Sequence, residues 1–150
     1  MIPRHRRHAA WRQAALLAAI LLGAGAGAAV YEHRPAHEDE LAIPIGELRS
    51  QGFELEVLNQ QAAGRNDRLF VTAHARQLAQ SIERARAELS GIEATARLAP
   101  TRAAALQRSA PLADAAAQLG AGHAPLAPAS AAHVVAAARQ LKALEDALQR

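Results

Sequence analysis

The stretch VTAHARQLAQSIERARAELSGIEATARLA, residues 71–99, carries the clearest pattern in the chain. Its apolar side chains recur at alternating spacings of four and three residues: Val71, Ala75, Leu78, Ile82, Ala85, Leu89, Ile92, Ala96 and Ala99. This spacing places them on one face of an α-helix over about four heptads. Pro100 then ends the series, because proline disrupts a helix interior. The pattern predicts one long helix with a coiled-coil-like seam, about 33 residues or roughly 50 Å in length.

A shorter helix is predicted upstream, from about Ile45 to Ala63. Its apolar stripe consists of Leu48, Leu55, Leu58 and Ala62. Gly64 supplies the C-terminal stop, and Asn66 or Asp67 is placed to cap the next helix. The short turn predicts an antiparallel hairpin over residues 45–99. Since the first helix spans only about 28 Å, it leaves part of the seam uncovered.

Downstream, residues 100–129 predict one or two short helices, with Pro111 near the start of the second, followed by the linker GAGHAPLAPAS. A last helix is expected over residues 130–150, capped by Ser130 and reaching about Leu148. Either this helix folds back over the exposed part of the seam, or a second chain covers it. The pattern leaves both arrangements open.

Composition favours an all-α fold with a thin core. Half of the residues are hydrophobic, yet most of these are alanine and only 3% of the chain is aromatic. Alanine is the strongest helix former and contributes little core volume. Runs of alternating β-branched or aromatic residues, which mark strands, are absent. The chain contains no cysteine, which excludes disulfides, thiol catalysis and zinc–thiolate sites.

The basic charge is confined to the N-terminus. Residues 1–31 contain four arginines and no acidic residue, whereas the whole chain has a net charge of +3, so residues 32–150 carry a net charge of −1. A nearly neutral remainder offers no phosphate-binding face, so we expect no nucleic-acid partner. The near-exclusive use of arginine over lysine, with abundant alanine, is typical of GC-rich bacterial coding.

Residues 14–31, AALLAAILLGAGAGAAVY, form the one strongly apolar stretch. They predict a transmembrane anchor into the inner membrane, or a signal peptide cleaved after Ala26-Gly27-Ala28. Residues 1–13 form a basic cytoplasmic tail, and residues 32–44 an acidic, proline-containing tether. The positive charge before the apolar stretch places the C-terminal part in the periplasm. A retained anchor and a cleaved signal peptide share this orientation, so the orientation does not distinguish between them.

The flanks of the apolar stretch favour a retained anchor. Its 18 residues would span roughly 27 Å as a helix, close to the hydrocarbon thickness of a bilayer. Trp11 and Tyr31 lie at its two ends, where aromatic residues meet the membrane interface. Small residues recur every fourth position and favour helix pairing: Ala15, Ala19, Gly23 and Gly27. Cleavage before Ala29 would instead release a soluble periplasmic protein.

The sequence contains no recognisable catalytic motif, neither G-x-S-x-G nor a Walker loop. Charged residues recur at the i, i+4 spacing of helix-surface pairs, as in Glu93–Arg97 and Asp146–Arg150. His74 borders the apolar stripe; we expect it to be packed, with pH sensing or a metal site shared with His133 as the alternative. His33 and His37 are expected to lie in a solvated tether, because Pro35 separates them. No catalytic, cofactor-binding or metal-binding residue is therefore predicted, and no cofactor.

These features predict a non-enzymatic, membrane-anchored periplasmic protein that serves as an interaction or structural module. Its expected partners are the inner membrane, through residues 14–31, and either another protein or a second copy through the helical seam. The alternative is a cleaved, soluble periplasmic chaperone or a stress protein that binds a metal or another small ligand.

Overall fold

The computed structural model describes residues 37–64, 68–122 and 125–150. Within them the chain forms four α-helices and no strand, which confirms the all-helical prediction for this part of the chain. The helices are α1 (Glu38–Ala63), α2 (Arg68–Gly91), α3 (Ala99–Gly120) and α4 (Pro128–Leu148).

The four helices form an antiparallel bundle in which each helix packs against the next, and α4 closes the ring against α1. Three contacts between helices fix these directions. Glu54 of α1 contacts His74 of α2; Arg76, early in α2, contacts Gly120 at the end of α3; and Arg49, early in α1, contacts Glu145, late in α4. The N-terminus of α1 and the α1–α2 turn therefore lie at opposite ends of the bundle.

The apolar face of α2 is buried as predicted, from Val71 to Leu89. The sequence predicts that the last helix or a second chain covers the exposed part of this face, and the structure shows neither among the described residues. α2 packs against α1 and α3, whereas α2 and α4 make no contact among the described residues. Ile82 and Leu89 are fully buried within a single chain. The prediction that part of the seam is left uncovered by its hairpin partner and awaits α4 or a second chain is thus wrong, because α3 covers it.

The second helix is shorter than predicted. It ends at Gly91 after 24 residues, and residues 92–98 form a connection to α3. Glycine is a poor helix former, and the seam beyond it is weakly buried: Ile92 is half-buried and Ala96 is exposed. Continuation of the helix beyond Gly91 would therefore gain little free energy from apolar burial. Pro100 lies in the first turn of α3, where its missing N–H is tolerated.

The first helix begins earlier than predicted, at Glu38 rather than Ile45. The predicted tether of residues 32–44 is therefore wrong for residues 38–44, and the rest of it, except His37, lies outside the described residues. Pro44 lies inside α1, where proline costs about 3 kcal/mol. Leu41 and Ile45 are fully buried on either side of it. At roughly 1.5–3 kcal/mol for each buried aliphatic side chain, these two contacts offset the proline.

Residues 99–120 form one continuous helix in place of the predicted short helices. Pro111 lies inside α3, and the helix continues past it because Leu112, Ala116 and Leu119 are buried in the bundle. The last helix begins at Pro128 after Ala127, two residues before the predicted cap. Ser130 therefore lies within α4 and does not cap it. Gly64 does end α1 as predicted, whereas Asn66 and Asp67 lie outside the described residues.

Candidate interaction surface

Large apolar side chains are exposed on the α1–α2 hairpin, in the half of it that is nearer its turn. The exposed fractions are 81% for Leu69, 56% for Phe70, 52% for Val57 and 39% for Phe53. We call these four residues the hairpin patch. They include both phenylalanines of the chain. In a protein with so few aromatic residues, the core would be expected to take them, since each buries a large apolar area. Their exposure marks a surface suited to a partner.

The contact between His74 and Glu54 holds the two helices of the patch together. His74 Nε2 lies 2.7 Å from Glu54 Oε1, and it donates a hydrogen bond to this carboxylate. The ring of Phe70 stacks at a tilt on that of His74, with 5.7 Å between the ring centroids. Val57 and Phe70 lie one helical turn from this contact, on the side of the hairpin turn. They therefore face solvent at the same level of the antiparallel pair.

Charges of opposite sign flank the hairpin patch. Glu54 and Glu56 lie beside Phe53 and Val57 on α1, and the exposed Arg68 begins α2. An apolar centre with a charged rim is the usual arrangement of a protein interface. The hairpin patch therefore has acidic neighbours on α1 and a basic neighbour on α2, and charges of both signs are what a second copy would need to pair with them.

His74 is half-buried at the edge of the apolar stripe, as predicted. The structure does not bring it together with His133, because the two residues lie on α2 and α4, which make no close backbone contact among the described residues. His133 instead lines a groove between α3 and α4. Among the described residues no group of three or more His, Asp or Glu side chains is placed to hold a metal ion. His37 is exposed, and His33 lies outside the described residues.

The surface ion pairs also differ from the spacing-based predictions. Arg97 pairs with Glu38, across the end of the bundle, rather than with Glu93. Asp146 pairs with Lys142, at 2.8 Å, rather than with Arg150. The hydrogen bond from Lys142 lowers the pKa of Asp146, and the charge of Arg150 contributes to the same shift. These are exposed pairs, which stabilise a fold weakly.

The exposure of Phe53, Val57 and Leu69 was not predicted from the sequence, although part of the signal was present. Phe53 falls on the side of α1 opposite the stripe formed by Leu48, Leu55 and Leu58. Leu69 and Phe70 precede Val71, the first member of the α2 seam, and do not share its face. The position of Arg108 in a groove could not be predicted from the sequence, because the groove is formed only when α4 packs against α3.

None of the described helices has the length and apolarity needed to cross a membrane. The predicted anchor, residues 14–31, lies outside the described residues, as do the basic tail and the small-residue positions within the anchor. Comparison of the chain with protein-family models, curated proteins and solved structures gives no match. Its function is therefore inferred from its own residues.

Proposed function

We propose that this chain is a non-enzymatic, membrane-anchored helical protein that associates with a second copy of itself through the hairpin patch. Residues 14–31 hold it in the bacterial inner membrane, residues 1–13 remain in the cytoplasm, and the bundle lies in the periplasm. The observation that carries the proposal is the exposure of both phenylalanines, together with Val57 and Leu69, on one hairpin.

The energetics of the patch support association. Full burial of one large apolar side chain is worth roughly 1.5–3 kcal/mol, so covering several of them at an interface is favourable. Phenylalanine is also among the residues that are enriched in the cores of protein interfaces. The bundle completes its own core without these residues, so a partner can cover them without disturbing that core.

A second copy is the occupant that the charges favour. A two-fold axis through the patch can bring Glu56 of one copy towards Arg68 of the other, and it repeats the same contact in reverse. The small residues spaced at every fourth position of residues 14–31 support the same assembly, because such a ridge lets two membrane helices approach closely.

Single-cysteine crosslinking in isolated membranes tests the proposal. The chain has no cysteine, so each introduced thiol is unique. We expect Leu69→Cys to form disulfide-linked dimers under mild oxidation. Ala132→Cys is the matched control: it is exposed and lies near the start of α4, at the same end of the bundle but outside the patch. Equal crosslinking at both positions, an adduct with a different protein, or no dimer would each contradict self-association through the patch.

Orientation and anchoring are tested separately. A periplasmic C-terminus predicts that alkaline phosphatase fused after Arg150 is active, because this enzyme requires export. N-terminal sequencing of the mature protein distinguishes the two fates of residues 14–31. A retained N-terminus supports the anchor, whereas a start at Ala29 shows that the protein is the soluble alternative.

A further inference from the structure

A groove between α3 and α4 carries a second inference, independent of the hairpin patch. Its volume is about 470 Å³, and Pro111, Ala136 and Ala137 contribute an apolar wall. Such a volume falls within the range of small-molecule sites. An adjoining pocket of about 170 Å³ shares Pro111 and is lined by Asp114. The groove is formed by helices that contribute nothing to the patch.

Arg108 gives the groove its chemistry. Its Nη1 donates a hydrogen bond to Gln140 Oε1 over 2.9 Å. Its Nε is buried and has no hydrogen-bond partner. Within the described ranges no carboxylate lies within ion-pair distance of this guanidinium, whereas Arg49, Arg86 and Arg97 each pair with one. The charge of Arg108 is thus held by a neutral amide and by no carboxylate, and it can attract an anion into the groove.

Other polar groups of the groove are also hydrogen-bond donors. Gln107 carries an amide NH₂ and His133 an imidazole N–H, and both line the same cavity as Arg108. A planar carboxylate fits the fork of one guanidinium in a bidentate manner. A phosphate dianion carries twice the charge of a carboxylate, so one arginine does not neutralise it and the neighbouring Asp114 repels it more strongly.

We infer that this groove binds a small carboxylate with a short apolar body. The carboxylate lies against Arg108, with Gln107 and His133 as further donors, and the apolar body packs on Pro111 and Ala136. Two sources share this chemistry: a free aliphatic acid and the C-terminus of a short peptide.

Nuclear magnetic resonance of the full-length protein in detergent tests this inference. Butyrate and N-acetyl-Ala-Ala represent the two sources, and butyramide and inorganic phosphate are the control ligands. We expect either carboxylate to shift the Arg108 Nε–H and Gln140 side-chain resonances in a saturable manner, and the tighter of the two identifies the source. No saturable shift with either carboxylate, or equal affinity for butyramide or phosphate, would overturn the inference.

Matched variants separate binding from folding. We expect Arg108→Gln to weaken carboxylate binding at least tenfold, as judged from the Gln140 side-chain resonance. Arg139→Gln removes an exposed arginine from α4 and should leave binding unchanged. Ala136→Leu fills the groove from an exposed position and should abolish binding while helicity is retained. Unchanged affinity in both Arg108→Gln and Ala136→Leu would show that the groove is not the site.

Discussion

At Gly52 the helices α1 and α4 approach so closely that an added Cβ would lie 2.9 Å from the Cβ of Ala138. Neither atom belongs to a flexible side chain, so the backbones would have to separate. Among the described residues the core consists of leucine, isoleucine, valine and alanine, and no aromatic side chain is buried in it. At the scale of single residues, the fold thus depends on small side chains at fixed positions.

We expect Gly52→Ala to destabilise the bundle by about 1 kcal/mol. Overpacking costs about 1–3 kcal/mol, and the better helix propensity of alanine returns only about 0.5–1 kcal/mol. Gly91→Ala is the matched control, because an added Cβ there meets nothing within 4 Å. It should be neutral or slightly stabilising. Urea unfolding followed by circular dichroism measures both, and a Gly52→Ala variant as stable as Gly91→Ala would show that the close approach is not constraining.

Removal of the Lys142 amino group tests the electrostatics of α4. The hydrogen bond from Lys142 holds the pKa of Asp146 below its ordinary value of 3.8, so Lys142→Gln should raise it towards 3.8. Because the pKa is lower in the folded state, the pair stabilises the fold above about pH 3.8, and this contribution is lost as the pH falls through the lowered pKa. NMR titration of the Asp146 carboxyl group in both proteins measures this change. An unchanged pKa in Lys142→Gln would show that groups other than Lys142 lower the pKa of Asp146.

At the scale of helices, the sequence predicts the buried faces better than the ends. The face of α2 from Val71 to Leu89 was predicted because large residues recur there at helical spacing. The ends at Glu38 and Gly91 were not, since both depend on packing against other helices. On its own, Pro44 predicts the end of a helix. The burial of Leu41 and Ile45 outweighs this local cost, and that burial is visible only in the folded bundle.

Leu41 tests directly whether residues 38–44 belong to the bundle. Leu41→Ala should cost about 2–5 kcal/mol, because the side chain is fully buried. Ile43→Ala changes a residue of the same segment that is 67% exposed, and it should stay within about 0.5 kcal/mol of the wild type. If both substitutions were equally mild in thermal unfolding, the segment would behave as the tether that the sequence predicted.

At the scale of the whole molecule, the bundle closes its own core and leaves its phenylalanines outside. The hairpin patch lies towards the α1–α2 turn. This turn is at the end of the bundle opposite Glu38, the first residue of α1. This separates the residues that stabilise the fold from those proposed to bind. The sequence alone did not separate these two groups of residues. Its pattern predicted association through the α2 seam, which α3 covers in the structure.

The molar mass of the purified mature protein, measured by light scattering, tests this account most directly; detergent is present if the anchor is retained. We expect two chains for the wild type and one chain for Phe70→Asp, with an unchanged circular dichroism spectrum. Leu89→Asp should instead lose helicity, because Leu89 is fully buried within one chain. A one-chain mass for the wild type, or a Phe70→Asp variant that keeps the mass of two chains, would contradict association through the hairpin patch.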